Sequence, residues 1–246
     1  MFRSQLPGLT RATGLIPHPF DLAHGVRTSG LVVGRHLKTG HANDRHATAY
    51  YGVAPSVFQR LMRRWLRTRP NAPIERTTFI DAGAGMGRAV LLAAEMPFRR
   101  VVGVELHPSL VGIARRNLTV WRKAGRAHAP ARIVQGDAAE FRFPPGPCVL
   151  FLFNPFGAVV MRRLLRALAV SFAERPGELD ILYINNEQEG ELERRRGFVR
   201  LFSGRVPRSR ADAVADHRIL TSQPDGEYAS AEYEDCSIWR WAGRGR

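Results

Sequence analysis

The chain has 246 residues, 44% of them hydrophobic, which suffices to bury a substantial core in one α/β domain with an N-terminal extension. Its two cysteines exclude a disulfide scaffold or a cysteine-rich metal site, and no apolar stretch reaches the roughly 18 residues that a membrane helix needs. The formal net charge of +15 is carried almost wholly by arginine, with lysine only at Lys38 and Lys123; a GC-rich genome produces that bias as readily as a phosphate-bearing partner does.

In chain order, residues 1–20 carry proline and arginine where a signal peptide would be apolar, so a soluble, cytoplasmic protein is expected. Residues 1–70 read as an arm and lid helix, and 71–246 as the main domain. His24, His36, His41 and His46 are scattered through the polar arm without metal-ligand spacing, and no metal is expected. From Pro55 a helix begins whose apolar residues hold one side while Arg60, Arg63, Arg64 and Arg67 hold the other, a solvated face.

The central signal is Phe79-Ile80-Asp81-Ala82-Gly83-Ala84-Gly85-Met86-Gly87-Arg88, an apolar strand running into a glycine turn and a helix. Such a turn lets backbone N–H groups face a ligand, because glycine has no Cβ to hold it away. The next strand, from Val101, ends in Glu105, about twenty residues on, where nucleotide-binding folds place the acid that takes ribose hydroxyls. A dinucleotide fingerprint starting at Gly83 needs its third glycine at position 88, but Arg88 stands there and the glycine comes at Gly87. Asp81 would also repel a pyrophosphate, whereas it suits a cationic cofactor.

Asp-x-Gly-x-Gly-x-Gly followed by a strand ending in Glu resembles the first motifs of class I S-adenosylmethionine (SAM) methyltransferases. The resemblance implies that Asp81, Gly83, Gly85 and Gly87 line the methionine end and that Glu105 takes the ribose. Further on, Gln135-Gly136-Asp137-Ala138 resembles the family segment in which Asp137 and the Ala138 backbone flank the adenine; Asp137 is equally a helix N-cap.

The apolar strand 148–153 then stops at Asn154-Pro155-Phe156. This turn resembles a shortened Asn-Pro-Pro-Tyr motif of amino methyltransferases, which implies that Asn154 and a proline carbonyl accept hydrogen bonds from an amino group while Phe156 stacks on it. The plainer reading is a strand stop, since proline cannot continue a central ladder.

Strands at 78–81, 101–105, 131–134, 148–153 and 179–184 alternate with helices at 87–96, 109–122, 158–173 and 187–195. That pattern predicts right-handed crossovers and a parallel sheet; the resemblance implies that it is the Rossmann-like seven-strand methyltransferase sheet with helices on both faces. Strands at 198–203 and 237–241 complete it as an antiparallel edge pair. Between them, 204–235 is polar, contains Pro224-Asp225-Gly226, and reads as an irregular insertion. Cys148 and Cys236 fall inside strands and read as reduced, packed thiols.

Together with Phe20 to Gly30 and Tyr50-Tyr51-Gly52, these segments resemble a bacterial group of class I methyltransferases, some labelled by similarity to the seven-strand histone lysine methyltransferases. The resemblance implies an arm folded over the cofactor, with Thr28, Ser29 and Tyr50 as candidates to contact methionine or substrate; an arm that only packs on the sheet is the alternative. The expected activity is SAM-dependent transfer to nitrogen, on a protein side chain first and on nucleic acid or a small molecule second. A nicotinamide oxidoreductase and a non-catalytic SAM- or nucleotide-binding module remain as competing readings.

Overall fold

The structure, a computed structural model, describes residues 16–32, 34, 37–222 and 231–243. Seven strands, β1 (Thr78–Ala82), β2 (Arg100–Glu105), β3 (Ala131–Gln135), β4 (Cys148–Phe153), β5 (Leu179–Ile184), β6 (Phe198–Pro207) and β7 (Tyr233–Trp241), form one sheet in the order β3-β2-β1-β4-β5-β7-β6. β1 to β5 are mutually parallel, and β7 lies antiparallel between β5 and β6. This is the Rossmann-like seven-strand methyltransferase sheet. All side chains of β1 and β5 are buried, as continuous apolar strands in the middle of a two-sided parallel sheet require.

Period-two alternation sends each strand's side chains to two separate cores. Phe79, Val101, Val149, Phe151 and Leu182 meet α2 (Pro55–Arg67), α3 (Arg88–Ala94) and α4 (Pro108–Lys123). On the other face Ile80, Val102, Leu150, Ile181 and Tyr183 meet α5 (Ala158–Ser171) and α6 (Glu189–Glu193). α2 starts at a proline, whose missing N–H costs nothing in a first turn, and buries Val57, Phe58, Leu61, Met62 and Trp65. Arg60, Arg63, Arg64 and Arg67 stay exposed on its outer face, as the sequence predicts. The Trp65 indole donates to Asp180 Oδ2 at 2.8 Å, and Arg240 grips the same carboxylate from β7.

The arm, with the short helix α1 (Pro19–His24), joins the first core through Phe20, Val26 and Val53. His24 is half-buried, packed edge-on against Phe20 and Trp121. His36 and the turn at 224–226 lie outside the described residues. Both cysteines are buried and free, and burial raises the Cys148 thiol to about 12.

The segment 204–235 departs from expectation. β6 runs on to Pro207, β7 begins at Tyr233, and between them lies α7 (Arg210–Thr221), capped by the Ser209 hydroxyl. The buried side of α7 includes Asp212 and Asp216 beside Ala215, Ile219 and Leu220, so its pattern reads as polar although it faces inward. Their partners come from the arm and β6: Ser56 N–H and His18 for Asp212, Tyr51 and Arg208 for Asp216.

Candidate active site

A cavity of about 120 Å³ opens at the carboxyl edge of β1, β2 and β4. Asp81, Gly83, Gly85, Glu105, Asp137, Ala138, Tyr50 and Phe156 all line it, joined by Leu106, Leu110 and Val160 as apolar wall. Eight residues singled out from sequence therefore share one site. Two of the glycines are needed where the backbone is crowded. A Cβ on Gly83, at φ +82°, would come within 2.4 Å of Pro155 Cβ; one on Gly85 would lie 2.1 Å from the Tyr50 ring. Gly87 stands outside the cavity wall, at φ +90°, as the residue preceding α3.

The two acids differ in how they are held. Glu105 is buried and accepts from Gly85 N–H through Oε2 and from His107 N–H through Oε1, each at 2.8 Å. Each oxygen keeps a second lone pair, so the pair of amides orients the carboxylate without exhausting it. Asp81 is buried in the cavity wall with no hydrogen-bond partner among the described residues. Burial first, and the neighbouring Glu105 second, push its carboxyl up to about 8. A buried carboxylate without a partner is costly, and a cation or a hydrogen-bond donor in the cavity would relieve it.

Beyond β3, Asp137 caps a short turn by accepting from Ala139 N–H at 2.9 Å, and its other oxygen takes Asn43 Nδ2 at 2.7 Å. Arg163 donates to Asn43 Oδ1 at 3.0 Å and stands 3.6 Å from Asp137. The N-cap role is thus present, alongside a position in the cavity wall. Asn43 carried no signal in sequence, because its contacts lie some ninety residues or more away.

Thr28 and Ser29 do not line the cavity. They are buried, and both hydroxyls donate to Asp21. All five guanidinium N–H groups of Arg88 also end on the arm: on Thr28 Oγ1 and its carbonyl, Ser29 Oγ, and the carbonyls of Gly52 and Val53. In sequence Arg88 stood out only as the residue that breaks a fingerprint; a charge leading an otherwise apolar helix was the available signal.

Asn154 faces a second, larger groove of about 1320 Å³, which shares Ala47, Thr48, Ala49, Tyr51 and Phe153 with the cofactor-side cavity. Asn154 and Phe156 therefore sit on opposite sides of a common wall. The arm segment that forms this wall is pinned to the turn: Thr48 Oγ1 donates to the Asn154 carbonyl, Gly157 N–H donates to His46 O at 2.9 Å, and Ala47 bridges Phe156. Asn154 adopts φ +39° and Asn185, at the end of β5, φ +48°; asparagine tolerates this left-handed region better than most residues. With the main-chain carbonyl already used, Asn154 Oδ1 is buried without a partner. Such an orphan costs about 1–3 kcal/mol, and strain combined with an unmet acceptor is what functional sites carry.

No family model matches the sequence, and no curated protein does. Solved structures of similar fold include TrmN from Thermus thermophilus, 18% identical over 77% of this chain and 49% of that one, with a TM-score of 0.49. Precorrin-6y C5,15-methyltransferase from Geobacter metallireducens is 17% identical over 73% and 87%, TM-score 0.48. The YcgJ protein from Bacillus subtilis is 13% identical over 76% and 100%, TM-score 0.46. The likeness is one of fold; the resemblance to histone lysine methyltransferases rests on the sequence segments alone.

Proposed function

We propose that this protein is a SAM-dependent methyltransferase acting on an acceptor nitrogen. One arrangement supports the reading: an unpaired buried carboxylate, Asp81, on one side of a thin wall, and an unpaired buried amide oxygen, Asn154 Oδ1, on the other. A cation or a hydrogen-bond donor would relieve the first, and an N–H donor the second. A methyl donor with a cationic centre and an amine acceptor satisfy both.

SAM supplies an electrophilic methyl group on a sulfonium. Asp81 and the turn at Gly83, Gly85 and Gly87 would hold its methionine end, Glu105 the ribose hydroxyls, and Asp137 with Ala138 the adenine. Asn154 would accept from the acceptor's N–H and so aim the nitrogen lone pair away from itself, toward the cavity. Phe156, Phe153 and Val160 exclude water, which favours a neutral amine nucleophile over a hydrated one. The chain's contribution is mainly positioning and desolvation.

A nicotinamide dinucleotide fits poorly. Its pyrophosphate at this turn would face two buried carboxylates, while the one nearby guanidinium, Arg88, is committed to the arm. Thermal melts of the purified protein test the reading: S-adenosylhomocysteine should raise the melting temperature by mass action and NAD should not. Binding of NAD without SAM in calorimetry would overturn it. A binding module without turnover is separated by methyl incorporation from labelled SAM into lysate fractions of protein, nucleic acid and small molecules. Protein amines and nucleobase amino groups both meet the Asn154 requirement, and the distribution of surface charge bears on the choice.

A further inference from the structure

We infer that the arginine cleft between α5 and the α6–β6 turn binds the phosphodiester backbone of a nucleic-acid acceptor. The inference rests on the methyltransferase reading for what the bound strand is used for, but not for the binding itself. The cleft is a concavity of about 640 Å³ whose wall holds Arg162, Arg166, Arg194, Arg195 and Arg196 against a single carboxylate, Glu191. Arg162 and Arg194 share that carboxylate, at 2.9 and 3.4 Å. Arg166 and Arg196 are exposed and have no ion-pair partner among the described residues.

Elsewhere the excess arginine is spent differently. On α2 it forms a convex solvated face, and Arg88, Arg208 and Arg240 are tied into buried ion pairs. In this cleft five arginines converge on a concave surface, where field lines focus and counter-ions accumulate. Guanidinium forks match phosphate geometry, and a concave wall presents them to separate groups on a chain. Arg162 and Arg166 are one turn apart on α5, about 6 Å along the axis.

The position suits an acceptor strand. α5 begins four residues beyond Asn154, so Arg162 and Arg166 lie about 6 and 12 Å from the end of the helix that borders the acceptor turn. The β5–α6 connection lends Asn185 and Glu187 to the acceptor groove, and α6, which follows it directly, lends Glu191 to the cleft. On the arm side, the Gly157 to His46 hydrogen bond sets exposed Arg45 beside the start of α5, and Arg45 and Lys38 rim the same groove. A backbone running from the groove to the cleft meets cations in both, whereas a lipid surface would need them on one convex face.

The test uses the full chain and fluorescence anisotropy with a mixed-sequence 30-nucleotide single-stranded RNA, the same DNA sequence, and phosphatidylserine vesicles. The double variant R166A/R196A should bind RNA or DNA about tenfold more weakly. Its salt slope should be shallower by about 1.4, at 0.7 per lost phosphate contact on a single strand. Tighter RNA than DNA binding names RNA as the source of the backbone, and the reverse names DNA. Neither side chain has an ion-pair partner among the described residues, so the melting temperature and S-adenosylhomocysteine affinity should match wild type. Unchanged affinity and slope overturn the inference, as does arginine-dependent capture of vesicles without nucleic-acid binding. Failure of the wild type to bind S-adenosylhomocysteine, with RNA binding intact, would sink the methyltransferase reading and leave the phosphate site standing.

Discussion

Arg88 Nε donates to Thr28 Oγ1 at 2.7 Å, joining the residue after the glycine turn to the arm sixty positions earlier. Because all five of its N–H groups are used and Asp21 lies 3.7 Å away, Arg88 fixes the arm and the cofactor turn as one body. Tyr50, held by its hydroxyl on the Thr28 carbonyl at 2.8 Å, is in turn pressed on Gly85.

Arg88→Met should therefore cost about 3–5 kcal/mol in urea unfolding, the range for breaking a buried ion pair by removing one partner. Arg88→Lys keeps the charge but cannot reproduce the fork, and should recover only part of the loss. Affinity for S-adenosylhomocysteine should fall in both variants. A loss below about 1 kcal/mol for Arg88→Met would mean that the arm is held by its apolar contacts instead.

Asp81 makes the cofactor site pH-dependent. With its carboxyl pushed up to about 8, most of it is protonated at pH 7 in the unliganded protein. Binding the ligand's α-ammonium, which S-adenosylhomocysteine shares with SAM, demands the anion and releases that proton. Affinity for S-adenosylhomocysteine should rise from pH 6 to 8, by up to about tenfold per unit, and level off above. Stability runs the other way. A carboxyl whose folded value lies above its ordinary 3.8 contributes stability that is complete below that value and is lost as pH climbs through about 8. Asp81→Asn should flatten both profiles, raise the melting temperature of the unliganded protein near pH 8, and weaken binding. A pH-independent affinity in the wild type would remove Asp81 from contact with the cation.

The sheet and the cofactor side of the site were legible because their signals are local. The run 78–82 is apolar and fully buried, and the turn and Glu105 follow within one crossover. The arm was not, since Thr28, Ser29, Asn43 and Thr48 sit in irregular backbone and act through partners 60 to 120 residues away. α7 escaped for a different reason. Its buried side carries Asp212 and Asp216, so a periodic apolar stripe is missing; Tyr51 and Arg208 meet Asp216, and the Ser56 N–H meets Asp212, only in three dimensions. The turn at Asn154-Pro155-Phe156 was legible as a stop after β4, but its sidedness was not: two residues apart in sequence, Asn154, in the left-handed region, and Phe156 line different spaces.

That sidedness sharpens the test of the turn. If Asn154 Oδ1 positions the nucleophile, Asn154→Ala should leave S-adenosylhomocysteine affinity nearly intact and cut single-turnover rate by roughly 10² to 10⁴, the span for losing a positioning or polar catalytic contact. Alanine at φ +39° also pays for the left-handed backbone, by about 1–2 kcal/mol, which would confuse a rate loss with partial unfolding. Asn154→Gly removes the same amide and relieves the strain, so it should be at least as stable as the alanine variant and equally slow. Phe156→Leu lies on the cofactor side, and should weaken cofactor binding as well as rate, both mildly. Were the turn only a strand stop, Asn154→Gly would keep the full rate per folded molecule, and the orphaned amide oxygen would then be a packing cost without a catalytic return.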